Sequence, residues 1–282
     1  MTTPQAPGQG ATMRMSRLSL MILLFLGAGL VAAMGPWKEA CGGETPCMVG
    51  QRSYHLLVPD DWDGETAMPV LLHFHGWQRQ GSLVIRHNRI ASATRKRGVL
   101  LVAPNGARRT WNFWTENTPD VAFASAVLED VAKTYPVDTQ RIYVSGYSFG
   151  SAMAWRYVCE QGAGVAALLA IAGTLEQWET CPEAPAEVRH VHGLDDTVMK
   201  FPMGPGGDTT YPVYLWRKLL GCGDGIAEGP WQQRAFLTLE RTTWDCTGGR
   251  VTLDLHPGGH FIPHGWIARQ LDELLGLPPS YP

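Results

Sequence analysis

Apolar residues run almost without interruption through 69–74, 99–103 and 165–172. Runs this short, apolar at successive positions, are expected of parallel strands that are covered on both faces. Between them the period changes. Residues 120–135 set Val121, Ala124, Leu128 and Val131 near a 3.6-residue repeat, which predicts an amphipathic helix. Residues 83–97 mix apolar and basic positions with helical character and close on Gly98, with Arg95-Lys96-Arg97 where cations suit a helix C-terminus. The alternation predicts an α/β fold: a mostly parallel central sheet with helices on both faces.

Further strands are expected at 54–58, ended by Pro59-Asp60-Asp61, and at 141–144, 188–192, 236–241 and 251–255. Helices are expected at 151–157, 213–220 and 264–275, and a surface loop at 200–208. Residues 108–119 break the pattern as a loop containing Trp111, Asn112 and Trp114. In parallel sheets the loops leaving the carboxyl ends of strands build the site. These tryptophans, with Trp77, therefore either stack on a substrate or pack as a satellite cluster.

Between the strand at 141–144 and the helix at 151–157 lies Gly146-Tyr147-Ser148-Phe149-Gly150. A G-x-S-x-G between a strand and a helix has the context of a nucleophile elbow, and its glycines relieve the crowding of a sharp turn. Two later strand ends offer the other groups a serine nucleophile needs: Asp196 as the orienting acid and His260 as the general base. Asp195 rivals the first, and His256 and His264 rival the second. The order Ser148, Asp196, His260 is that of the α/β-hydrolase fold. The backbone N–H of Phe149, and that of Trp77 after His75-Gly76, are the expected oxyanion donors.

The pairs His73/His75 and His190/His192 each share a strand face and raise a competing reading as a metal-dependent hydrolase. A third reading is an exported binding protein on a hydrolase scaffold without turnover. Neither a metal nor an organic cofactor is expected on the serine reading.

Composition narrows the partners. A formal charge of −3 gives no basic field for nucleic acid, and 45% hydrophobic with 17% charged residues is ordinary globular usage. Residues 1–33 read as a signal peptide, starting at Met1, Met13 or Met15: Arg14 and Arg17 precede an apolar run ending in Val31-Ala32-Ala33. This predicts a secreted or periplasmic protein with no stable membrane anchor once the leader is removed, and one catalytic domain over 34–282. An uncleaved anchor is the alternative. All six cysteines follow the leader, so disulfides are expected, with neighbours joined in sequence order: Cys41 to Cys47, Cys159 to Cys181, Cys222 to Cys246.

The chain resembles the secreted polyhydroxybutyrate depolymerase and feruloyl esterase family of α/β-hydrolases. The likeness lies in Gly50-Gln51-Arg52-Ser53-Tyr54 with Val58-Pro59, in His75-Gly76, in the stretch 137–144 before the elbow, and in Met153 and Cys159. Further on come His192-Gly193 with Asp196, Trp216 with Cys222, and Gly258-Gly259-His260 with Pro263. The resemblance implies ester hydrolysis through an acyl-enzyme carried by Ser148, Asp196 and His260, without a cofactor. Two positions depart from the family's usual pattern: Ser151 replaces a second glycine, and Ile262 replaces a tryptophan beside the cleft. The second leaves the ester open, between hydroxyalkanoate, feruloyl and acetyl. A soluble ester or oligomer is expected, since the chain adds no substrate-binding domain before Pro282.

Overall fold

The computed structural model describes residues 41–281; the leader expected at 1–33 lies outside them. Ten strands form one sheet, here numbered in chain order: β1 (Cys47–Val49), β2 (Arg52–Leu57), β3 (Met68–Phe74), β4 (Leu100–Pro104), β5 (Val137–Tyr147), β6 (Ala167–Ile171), β7 (Glu187–Gly193), β8 (Ile226–Arg234), β9 (Leu237–Cys246) and β10 (Gly249–His256). Their spatial order is β1-β2-β4-β3-β5-β6-β7-β10-β9-β8. The six from β4 to β10 in that order pair in parallel, and antiparallel strands extend the sheet at both ends.

The apolar runs are the central strands, and the pleat explains why both alternating sets are apolar. In β3, Val70, Leu72 and Phe74 enter one core while Leu71 enters the other. On the first face pack α3 (Pro119–Thr134), α4 (Phe149–Gln161) and α5 (Tyr214–Leu219), through Val127, Trp155 and Trp216 among others. On the second pack α1 (Gly81–Val84), α2 (Asn88–Arg95) and α6 (Trp266–Leu275), through Val84, Ile90 and Leu271. The strands are therefore buried on both sides.

One expected element needs correction, and one strand was not expected. The helix expected over 83–97 is two helices, because His87 adopts an extended conformation and restarts the chain as the N-cap of α2. Arg97 lies at the C-terminus of α2 as expected, donating to Ala93 O at 3.1 Å, and is also buried against Asp272 of α6 at 2.7 and 2.9 Å. The strand β8 was not expected, since it is a largely exposed edge strand interrupted by Gly229 and Pro230, which carries little apolar alternation.

The far end of the sheet is held by Asp254 of β10. Its buried carboxylate accepts bonds from Arg241 at 2.8 and 2.9 Å and from the indoles of Trp231 and Trp266 at 2.8 and 2.7 Å. A buried charge met this fully is tolerated, and it fixes β10 just before the loop that carries His260. The cysteines are joined as Cys41–Cys47, Cys159–Cys181 and Cys222–Cys246. Among the described residues no helix is long and apolar enough to cross a membrane.

Candidate active site

Ser148 sits between β5 and α4 with φ 60° and ψ −127°, a left-handed backbone that a non-glycine residue adopts only under constraint. Its N–H bonds to Ile171 O of β6 at 3.0 Å, pinning the turn to the neighbouring strand. The glycines are required by space. A Cβ on Gly146 would lie 2.0 Å from Gly150 O, and one on Gly150 would lie 2.1 Å from Phe74 O. Ser151, the small residue that departs from the family pattern, is fully buried and donates to Gly173 O at 2.6 Å.

Asp196 and His260, the expected acid and base, come from neighbouring strands. β7 and β10 pair so that Gly193 stands opposite His256, and Asp196 and His260 each follow within four residues. Asp196 Oδ2 lies 2.6 Å from His260 Nδ1. Its other oxygen accepts the N–H groups of Val198 and Met199 at 2.9 and 3.0 Å. Burial alone would raise the Asp196 pKa, but the bonds from His192 and His260 outweigh it and hold the carboxyl at about 2. The His260 ring lies 4.8 Å from that of Tyr147, whose hydroxyl donates to His260 O at 3.0 Å, so the residue before the nucleophile seats the histidine. Among the described residues Ser148 Oγ makes no hydrogen bond.

The rivals have other contacts. Asp195 is exposed. His256 Nδ1 faces the N–H of Gly258 at 3.2 Å, within its own loop, and His264 Nδ1 lies 3.1 Å from the Tyr281 hydroxyl.

The paired histidines do not meet as metal ligands, and each is engaged inside the protein. His192 Nε2 faces both Met199 O at 3.0 Å and Asp196 Oδ2 at 3.3 Å, two acceptors, so this nitrogen carries the proton. Nδ1 of His192 is then the acceptor for His190 Nε2 at 3.1 Å. The pair forms a buried donor chain ending on Asp196. His75 has the opposite tautomer. Its Nε2 accepts the Gly106 N–H at 3.0 Å, so Nδ1 donates to Gly76 O at 2.8 Å. Among the described residues no group of three His, Cys, Asp or Glu side chains is placed to hold a metal ion.

That last bond of His75 bears on the oxyanion donor. Gly76 C=O and Trp77 N–H belong to one planar trans peptide, so fixing the carbonyl fixes the N–H on the opposite side. Gly76 O is held by His75 and by the Arg79 N–H at 3.2 Å, while the Trp77 N–H has no partner among the described hydrogen bonds. Phe149 opens α4, where a backbone N–H has no partner within the helix. Gly76 lies against the nucleophile: a Cβ there would be 3.6 Å from Ser148 Cβ. The sequence pattern marked His75 as half of a histidine pair and as the start of the His75-Gly76 loop; its part as a brace depends on Gly106, 31 residues away.

Trp111 is corrected to a core residue. It is 2% exposed, stacks edge-on with Phe74 at 5.1 Å and donates its indole N–H to His75 O at 2.7 Å, bracing the donor loop from behind. Trp114, by contrast, is 64% exposed and meets the Phe149 ring edge-on at 5.8 Å, over the first turn after the nucleophile. The Trp77 side chain is also exposed. Asn112 has an exposed side chain and donates its backbone N–H to Asp120 at 2.7 Å. Ile262 lines a cavity of about 670 Å³ together with Gly76 and Tyr147.

No family model matches the chain. The solved structure of an acetyl xylan esterase from Aspergillus awamori superposes with a TM-score of 0.61 at 15% identity, covering 80% of this chain and 94% of that one. The probable feruloyl esterase C of Aspergillus niger is 26% identical over 259 residues, 87% of this chain and 92% of its own. The fold is that of the α/β-hydrolases, and the chain is similar to esterases of that fold. The bifunctional acetylxylan esterase/xylanase XynS20E of Neocallimastix patriciarum is 24% identical over 152 residues, which are 53% of this α/β-hydrolase and 22% of that protein. This α/β-hydrolase thus matches less than a quarter of the length of that relative, but nearly all of the Aspergillus niger one.

Proposed function

We propose that this esterase is an exported serine carboxylic-ester hydrolase that works through an acyl-enzyme, with Ser148 as nucleophile, His260 as base and Asp196 as its partner. The observation that carries the reading is the 2.6 Å link from Asp196 to His260 beside the Ser148 elbow. In the first step Ser148 Oγ adds to the ester carbonyl carbon as His260 Nε2 takes its proton. The Phe149 and Trp77 N–H groups receive the negative charge that develops on the carbonyl oxygen. Asp196, ionised at neutral pH, stabilises the imidazolium. His260 then returns the proton to the leaving alcohol, and water, deprotonated by the same histidine, releases the acid and restores Ser148.

The names of the relatives put feruloyl and acetylxylan esters first and hydroxybutyrate oligomers second as substrates. Trp114 and Trp77 are the exposed aromatic surfaces available to an aryl acid or a sugar. Three disulfides support an oxidising compartment.

The test is covalent labelling by a fluorophosphonate probe, expected in the wild type and lost in Ser148→Ala. A folded wild type that takes no label would overturn the reading. A panel of methyl ferulate, acetylated xylan, p-nitrophenyl acetate and hydroxybutyrate oligomers then ranks the esters.

A further inference from the structure

The cavity of about 670 Å³ beside the elbow has a one-sided charge. It is bounded by Gly76 and Tyr147, which flank Ser148, and by Phe261 and Ile262, which follow His260. Arg79, Arg86 and Arg89 lie on its wall, and no Asp or Glu does. Arg86 is paired with Glu44 at 3.2 Å. Arg89 gives its guanidinium to neutral acceptors, Ile262 O and His264 Nε2. Among the described residues neither Arg79 nor Arg89 meets a carboxylate. The four histidines of the wall add no charge at neutral pH: burial is the main cause that lowers His73 and His75, and burial with the adjacent Arg89 lowers His87 and His264.

The buried arginines elsewhere in the protein are treated differently. Arg97 is met by Asp272, Arg189 by Glu187 and Glu273, and Arg241 by Asp254. Arg89 is half-buried and Arg79 exposed; a partly buried guanidinium without an anion, as at Arg89, is costly to keep, and the planar fork of either matches a carboxylate. Leu83, Ile90 and Ile262 supply apolar wall to the same cavity, and the volume is that of a small-molecule site.

We propose that the esters preferred by this site carry a free carboxylate, which Arg79 and Arg89 receive in the cavity beside Ser148. The proposal rests on the esterase reading above. Such substrates include hemi-esters of dicarboxylic acids, with the charge on the acyl side, and short hydroxy-acid oligomers with a free acid end, with the charge on the alcohol side.

The experiment measures kcat/KM for two matched pairs: mono-p-nitrophenyl glutarate against p-nitrophenyl butyrate, and 3-acetoxybutyrate against its methyl ester. The charged member of at least one pair should be favoured by about tenfold, the worth of one charge-assisted hydrogen bond. The ratio should fall towards one in the Arg79→Gln/Arg89→Gln double variant, and high salt should reduce it. Arg79→Gln alone, at an exposed position, serves if the double variant does not fold, and should reduce the ratio in the same direction. A wild-type ratio near one in both pairs overturns the proposal, as does a preference that survives the substitutions. Turnover of the neutral esters without that preference leaves the esterase reading standing, whereas no turnover of any ester and no fluorophosphonate label would remove both.

Discussion

Taking the protein from pH 7 to pH 5 charges histidines in the unfolded chain that the folded chain keeps neutral. His73, His75, His190 and His256 are all buried. Burial is the chief cause that pushes His73 down to about 3 and His75 and His256 to about 4, and it holds His190 well below its ordinary value. Unfolded, each titrates near 6.5. Between those limits the unfolded state binds more protons, so stability falls as pH falls through 6.5. At pH 5 the gap from 6.5 is worth about 2 kcal/mol for each such histidine, at about 1.4 kcal/mol per pH unit. Together these groups should remove several kcal/mol of a total that is usually about 5–15 kcal/mol. Asp196 acts in a different window: with its folded pKa at about 2, its contribution is lost only as pH falls below the ordinary carboxylate range. The assay is guanidinium unfolding at pH 7, 6 and 5 with the disulfides intact. His73→Gln should recover about 2 kcal/mol of the loss, as one titrating group fewer. A stability unchanged from pH 7 to pH 5, with loss starting only in the carboxylate range, would refute the assignment of these histidines as neutral in the fold.

Two substitutions probe the site and its frame. Asp196→Asn keeps the shape but removes the charge that stabilises the His260 imidazolium, so kcat on p-nitrophenyl acetate should fall by about 10⁴-fold with little change in KM; a fall of less than about tenfold would exclude Asp196 from that role. Asp272→Ala strands the buried Arg97 between α2 and α6 and should cost about 3–5 kcal/mol in guanidinium unfolding, while a loss under about 1 kcal/mol would mean that the pair contributes little.

How legible each part was follows from the range of the interactions involved. The central strands are apolar on both faces, so 69–74, 99–103 and 165–172 could be found from a few consecutive residues. β8 could not, because Trp231 is the one buried residue of this edge strand and one position leaves no period. Trp111 and Trp114 stand three residues apart in the same loop and look alike in the chain, yet one braces His75 in the core and the other lies in solvent over Phe149. The same holds for the histidines: pairs two apart suggested metal ligands, but their bonds run to Ser145, Gly106, Met199 and Asp196 instead.

At the elbow the chain alone pointed to the local geometry: Gly146 is required by contact within the turn, and Ser148 follows from the strand-turn-helix order, whereas Gly150 is required by its contact with β3. The even set of cysteines likewise pointed to disulfides before any partner was known. Only the tertiary structure decided which of His256, His260 and His264 reaches Asp196, how His75 fixes the peptide before Trp77, and that three arginines, two of them without a carboxylate partner among the described residues, line one cavity next to Tyr147. The physical reason is distance along the chain. Periodicity and turn sterics act within a few residues, whereas Asp196 and His260 are 64 positions apart and meet because β7 and β10 pair in one register.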